Sequence, residues 1–192
     1  MLAEIADAAR GFDPAAPPAL IGVTSLAEGA DQMFAAAALD QGYRLLCPFP
    51  FPQAEFERDF APPKAFAPDA LAQFRGLIAR AAAGAGVEPI EMPGLRADEG
   101  GAYAAAGGWL VERSDLIVAV WDGGPAAGAG GTAQSVALAL DLGSPVLRLD
   151  PARPERWTRL APRRPPAGTS AQALRLAHVL GRLALDTQPD DP

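Results

Sequence analysis

Four short apolar runs, Leu20–Thr24, Leu45–Cys47, Leu116–Val120 and Val146–Leu149, limit what this chain can fold into. Each is the length of a buried strand, and most of the long stretches between them carry helical periodicity. Gln32–Gln41 reads as a helix ended by Gly42. Ala70–Ala83 has an apolar stripe of Leu71, Phe74, Leu77 and Ile78 and stops before Gly84 and Gly86. Tyr103–Arg113 and Thr132–Leu142 are two further helices, the second ended by Gly143. Strands alternating with helices call for a parallel sheet joined by right-handed crossovers. The expected fold class is α/β, a three-layer Rossmann-like fold with a mainly parallel central sheet. Residues 1–186 would form one domain and 187–192 a frayed tail. Val87–Met92 is expected at a sheet edge, because Pro89 has no N–H to give a ladder. Helices are also expected over residues 1–10 and Ser170–Leu185, with Pro14–Pro18 as a linker.

Pro48–Pro68 interrupts this alternation. Six prolines are interleaved with Phe49, Phe51, Phe56, Phe60 and Phe66. Prolines limit regular structure while the rings seek burial, so an ordered excursion beyond a strand's carboxyl end is expected, with a short helix over about 53–60. The stretch from Asp150 to Pro166, with Arg153, Arg156, Arg159, Arg163 and Arg164, reads as a solvated linker.

Composition removes several functions. The formal net charge is −7 and Lys64 is the sole lysine. That argues against nucleic acid as a partner, since phosphate neutralisation supplies most of such affinity. Cys47 and His178 are each the one residue of their type, which excludes an intrachain disulfide and any Cys/His zinc set. No metal and no cofactor is expected. No basic segment followed by an apolar stretch opens the chain, and no run has transmembrane length. The expected location is the cytoplasm, with no membrane partner. A homo-oligomer would be one way of covering apolar helix faces.

The chemistry concentrates after Leu116–Val120, where Trp121-Asp-Gly-Gly-Pro-Ala-Ala-Gly-Ala-Gly-Gly-Thr132 leads into a helix. A strand, a glycine-rich loop and a helix start form an anion-binding arrangement, because the first helical N–H groups have no intrahelical acceptor. Asp122, Gly123, Gly124, Gly128, Gly130, Gly131 and Thr132 are the candidates here, with the Thr132 hydroxyl as N-cap or phosphate donor. No dinucleotide or triphosphate-loop fingerprint is present. A second loop, Ser25–Asp31, follows the first strand. Ser25, Glu28, Gly29 and Asp31 are candidates there: the two carboxylates would hold ribose hydroxyls, act as acid or base, or cap a helix. In an open sheet both loops lie at strand carboxyl ends, where ligands bind. Arg96 as a phosphate clamp and Tyr103 as a base-stacking ring are minor candidates.

Ser25-Leu-Ala-Glu-Gly-Ala-Asp31, Pro48-Phe-Pro50 with Phe56-Glu-Arg-Asp-Phe60, and Trp121-Asp-Gly-Gly with Gly130-Gly-Thr132 together resemble the SLOG superfamily. That group includes the Rossmann-like domain of DNA-processing protein A and the lysine-decarboxylase-like phosphoribohydrolases. The resemblance covers roughly Leu20–Leu149 and implies a phosphate cradle at Gly130, Gly131 and Thr132, with a nucleotide near Gly29 and Asp122. The phosphoribohydrolases carry a glutamate shortly after the Gly-Thr pair; here Gln134 and Ser135 follow Ala133, and Gln134 cannot serve as a base. Relatives of this type also begin with a further strand before the segment equivalent to Leu20–Asp31. Its loss would remove one wall of the crevice and leave a sheet edge for a partner chain. The expected function is binding of a nucleotide or phosphorylated nucleoside derivative, as a sensor or accessory protein. The alternatives are an N-glycosidase or phosphoribohydrolase working through Glu28 or Asp31, and an interaction module with a vestigial cleft.

Overall fold

The computed structural model describes residues 1–125, 130–161 and 171–185. Helices and strands alternate through most of the chain: α1 (Leu2–Phe12), β1 (Ile21–Val23), α2 (Ala30–Asp40), β2 (Arg44–Phe49), α3 (Gln53–Phe56), α4 (Ala70–Ala83), β3 (Val87–Glu91), α5 (Glu99–Glu112), β4 (Ile117–Val120), α6 (Thr132–Leu142), β5 (Val146–Asp150), β6 (Arg153–Leu160) and α7 (Ala171–Leu185). This is an α/β architecture. Its strands form two three-stranded sheets, one ordered β1-β2-β3 and wholly parallel, the other ordered β4-β5-β6. In the second sheet β4 and β5 are parallel and β6 runs antiparallel to β5. Among the described residues no ladder joins β1 to β4.

β3 takes the expected edge position, with Pro89 opposite Cys47. β6 departs from the expected linker. It is an edge strand whose residues are mostly exposed, Trp157 and Leu160 being half-buried. It pairs with β5 through backbone groups, which need no apolar pattern. Arg163, Arg164, Gly128 and the 187–192 tail lie outside the described residues. α5 starts four residues before the expected Tyr103, because the Asp98 carboxylate accepts the Gly101 N–H (3.1 Å) and caps the helix there.

The proline-rich excursion is core. Phe49, Phe51, Phe56 and Phe74 are fully buried and Phe60 nearly so. Phe60 stacks on Phe74 with ring centroids 4.5 Å apart, and Phe56 meets Phe60 edge-on at 5.1 Å. Phe66 is the exception at 93% exposed. Cys47 is buried in the same cluster, where burial, with the Asp31 charge second, pushes its thiol up to about 12.

Two helices span both sheets. α1 places Ala6 in the β1–β3 core, while its Ala8 and Ala9 pack with Leu147 of β5, with Val179 and Leu183 of α7, and with Leu20 and Leu116 at the starts of β1 and β4. α5 gives Ala102 and Tyr103 to the first core and Leu110 and Val111 to the second. Val146 and Leu147, adjacent in β5, join different clusters, so that sheet is covered on both faces.

Candidate functional site

The loop after β1 is held by its own polar groups. Asp31, in the first turn of α2, accepts the Ser25 N–H (3.1 Å). Burial raises the Asp31 pKa, against hydrogen bonds from the Thr24 side chain and the Ala27 and Ser25 amides. The buried Thr24 Oγ1 accepts the Leu26 N–H (3.2 Å), and the Gln32 Nε2 donates to the Leu26 carbonyl (3.3 Å). Leu26 itself is fully buried with φ 58°, a left-handed conformation that costs a branched L-residue energy and survives only where its surroundings enforce it. Gly29 is the N-cap of α2 at φ 97°.

Glu28 turns away from this loop. Its carboxylate accepts the N–H groups of Phe66 (2.9 Å) and Ala67 (2.6 Å), tying the loop to the proline-rich excursion. Glu28 and Gly29 also line an open groove of about 800 Å³ with Met33, Phe66 and Arg80, along α2 and α4. Ser25 and Asp31 are thus brought together, while Glu28 is committed to backbone amides 38 and 39 residues on.

Trp121–Gly124, at the start of the loop after β4, forms a second network. The Asp122 carboxylate accepts the Gly124 N–H (2.8 Å), and the Trp121 indole donates to the Gly124 carbonyl (2.9 Å). Arg148, on β5 opposite Ala119, donates to the carbonyls of Trp121 (2.9 Å) and Asp122 (2.7 Å) and lies over the Trp121 ring. This cation beside the glycine loop is the functional candidate that sequence reasoning missed. The one signal for it was an arginine inside an otherwise apolar strand, Val146-Leu-Arg-Leu149.

At the start of α6, Gly131 is the N-cap and makes no side-chain cap, so Thr132 is the first helical residue rather than the cap. The Gly131 carbonyl accepts the N–H groups of Gln134 and Ser135, and the Gln134 Oε1 accepts the Gly130 N–H (2.7 Å). The N–H groups of Thr132 and Ala133 fall in the first turn, where a helix offers no acceptor. Gly130 has φ 80°, and a Cβ there would come within 2.7 Å of the Tyr103 Cβ and 2.8 Å of the Ala104 nitrogen on α5. Its glycine is accounted for by contact with α5. No hydrogen bond between described groups links the two loops.

Arg96 and Tyr103 are engaged elsewhere. Arg96 binds Glu55 (2.7 Å), Asp59 (2.8 Å) and Glu99 (3.0 Å) and lies 4.0 Å over the Phe51 ring. The Tyr103 hydroxyl donates to Asp59, and its ring meets Phe51 edge-on. Burial alone would raise Asp59, but bonds from Tyr103, Lys64 and Arg96 outweigh it and hold the carboxyl below its ordinary value. Arg96 and then Arg58 lower Glu55; Arg75 lowers Glu57. A carboxylate depressed in the folded state stabilises the fold above its ordinary value, 3.8 for Asp and 4.5 for Glu, and loses that contribution as pH falls through the folded value. Stability is therefore expected to drop on acidification below about pH 4.5, the upper of those ordinary values. Asp31 works in the opposite sense, its contribution falling as pH rises from 3.8 to its raised folded value. Arg96→Met is expected to cost about 1–3 kcal/mol at pH 7 and to flatten the acid decline. Urea midpoints between pH 7 and pH 3 measure both, and an unchanged acid slope would show that acid attacks other groups.

Among the described residues no group of His, Cys, Asp and Glu is placed to hold a metal ion, and no helix is long and apolar enough to cross a membrane. Comparison with protein-family models, with curated proteins and with solved structures finds no match to this chain.

Proposed function

We propose that this chain binds a nucleotide or a phosphorylated nucleoside derivative, as a cytoplasmic sensor or accessory protein. In this reading the two sheets and their helices are the halves of a three-layer Rossmann-like fold of the SLOG type. Ligands of such folds lie beyond the strand carboxyl ends. The phosphate would meet Gly130, Gly131 and Thr132 at the start of α6, near Asp122 and Gly124. The nucleoside would reach toward Ser25, Gly29 and Asp31.

The observation that carries the reading is the N-terminus of α6. It follows a parallel strand, has an N-cap with no side-chain cap, and lies after a loop whose carbonyls are held by the Arg148 guanidinium. A phosphate there would gain first-turn amides and the positive helix end, and in this reading the Arg148 guanidinium at the head of the loop would face it. Binding is favoured over hydrolysis because Gln134 carries no charge and Glu28 is occupied by two backbone amides.

A nucleotide panel read by thermal shift, followed by calorimetry on the hits, tests this. Gly131→Asp separates ligand from helix. Aspartate is a favourable N-cap, so the fold is retained, while its charge opposes phosphate and binding is lost. Arg148→Met is expected to weaken binding about tenfold or more, the worth of a charge-assisted contact. Retained affinity in Gly131→Asp would remove this site. Release of free base by the wild type, absent in Glu28→Gln, would replace binding with catalysis.

A further inference from the structure

The groove along α2 and α4 carries the two most exposed large apolar side chains among the described residues. Phe66 is 93% exposed and Met33 is 74% exposed, and both line its volume of about 800 Å³. Leu77 and Ala36 add to the apolar wall. The backbone fixes Phe66 in this position. Its N–H and that of Ala67 are bonded to the Glu28 carboxylate, and Ala65 and Ala67 on either side pack against the β1–β3 core. With both neighbours turned inward, the ring between them is held out. Gly76, inside α4, lines the same groove. A glycine within a helix weakens it relative to alanine. No packing contact requires this one, since a Cβ there would meet nothing within 4 Å. Its missing side chain keeps the groove open.

The polar groups decide what such a groove accepts. Its two charged side chains are already engaged, Glu28 by the two amides and Arg80 by the Asp40 carboxylate (2.5 Å) and the Ala36 carbonyl (3.4 Å). A further charge brought here would lose water without gaining a counter-ion. Gln32 and Gln73 each give Nε2 to the protein, Gln32 to the Leu26 carbonyl (3.3 Å) and Gln73 to the Asp69 carboxylate (2.8 Å). The Oε1 corner of each amide is left to accept.

We propose that this groove binds a small, uncharged, planar ring compound that carries an N–H donor. The ring lies against Phe66 and the Met33 thioether, both of which favour aromatic surfaces, and its N–H reaches a glutamine Oε1. The volume falls within the range of small-molecule sites. A protein partner would need a wider apolar surface, since interfaces engage about 20–30 residues a side. The other strongly exposed apolar side chains, Leu95, Leu142 and Leu174, lie outside the groove. The site stands apart from the nucleotide reading, because it calls for no phosphate and is lined by neither the glycine loop nor α6.

The test uses the intact protein with indole as the probe, a neutral planar ring with one N–H. The methyl resonance of Met33 is followed by NMR, with that of Met92 as the internal reference. Indole is expected to shift the Met33 methyl saturably and to leave Met92 in place. 1-Methylindole, which keeps the ring but lacks the donor, is expected to bind about fivefold more weakly, on the scale of one neutral hydrogen bond. Indole-3-acetate, which adds a charge, is expected not to bind. Phe66→Ala is expected to abolish saturation with Tm unchanged, since the side chain it removes is almost wholly exposed. Gly76→Leu is expected to abolish it with Tm held or raised, because leucine is the better helix former and enters the open space. A Met33 methyl that does not respond to indole overturns the proposal. So does indole binding that survives Phe66→Ala or Gly76→Leu, or that 1-methylindole or indole-3-acetate equals.

Discussion

A Phe74→Ala chain is expected to lose about 3–5 kcal/mol of unfolding free energy, the cost of truncating a buried aromatic side chain. Phe74 is fully buried, with the rings of Phe49, Phe56 and Phe60 at centroid distances of 5.4, 5.8 and 4.5 Å. Removing it withdraws the apolar area of one ring and three ring–ring contacts, and leaves a space that α4 cannot close without moving off β2. Against the roughly 5–15 kcal/mol of a typical folded domain this is about a fifth of the total or more. Urea unfolding with an unchanged m-value measures it. A loss under about 1.5 kcal/mol, the range of volume-conserving exchanges, would mean that the excursion collapses into the space. The proline-rich stretch would then not be the fixed core described above.

Gly130→Ala is expected to destabilise the ligand-free protein by about 2–5 kcal/mol, summing the left-handed backbone cost of an L-residue and the cost of overpacking. The φ of 80° supplies the first part, and approaches of 2.7 and 2.8 Å to Tyr103 and Ala104 supply the second. The backbone nitrogen of α5 cannot yield as a flexible side chain would. Because the loss arises without ligand, denaturation of the ligand-free variant checks it. Wild-type stability there would return Gly130 to the role first read for it, close approach of backbone to a phosphate.

The contrast between these two positions shows what was legible beforehand. The inner strands and the helices between them are continuous apolar runs and periodic stripes, signals written locally, and both appear where periodicity places them. β6 was not legible, because an edge strand contributes little burial and needs no pattern. The roles of Arg96 and Tyr103 were hidden for a different reason. Their partners, Glu55 and Asp59, lie 37 to 44 residues away in sequence, and an unpaired arginine and a paired one look alike in a string of letters. Arg148 was missed in the same way. At the first loop, Asp31 and Glu28 looked equivalent. Folding gives one to its own turn and the other to the backbone at Phe66 and Ala67. The division into two sheets had no local signature at all, since nothing in a strand's own residues names its neighbour.

That division has a consequence for the order in which the chain acquires structure. All of β1–β3 comes from residues 21–91 and all of β4–β6 from residues 117–160, with no strand exchanged between them. Each sheet closes over short sequence separations, and such contacts form early at low entropic cost. α1, with Leu20, ties the beginning of the chain to Leu116 before β4, to β5 and to α7. Native-state exchange under mild denaturant should therefore resolve two cooperative units, one per sheet. The docking of α1 and of α5, which pack against both cores, would set the free energy that separates them.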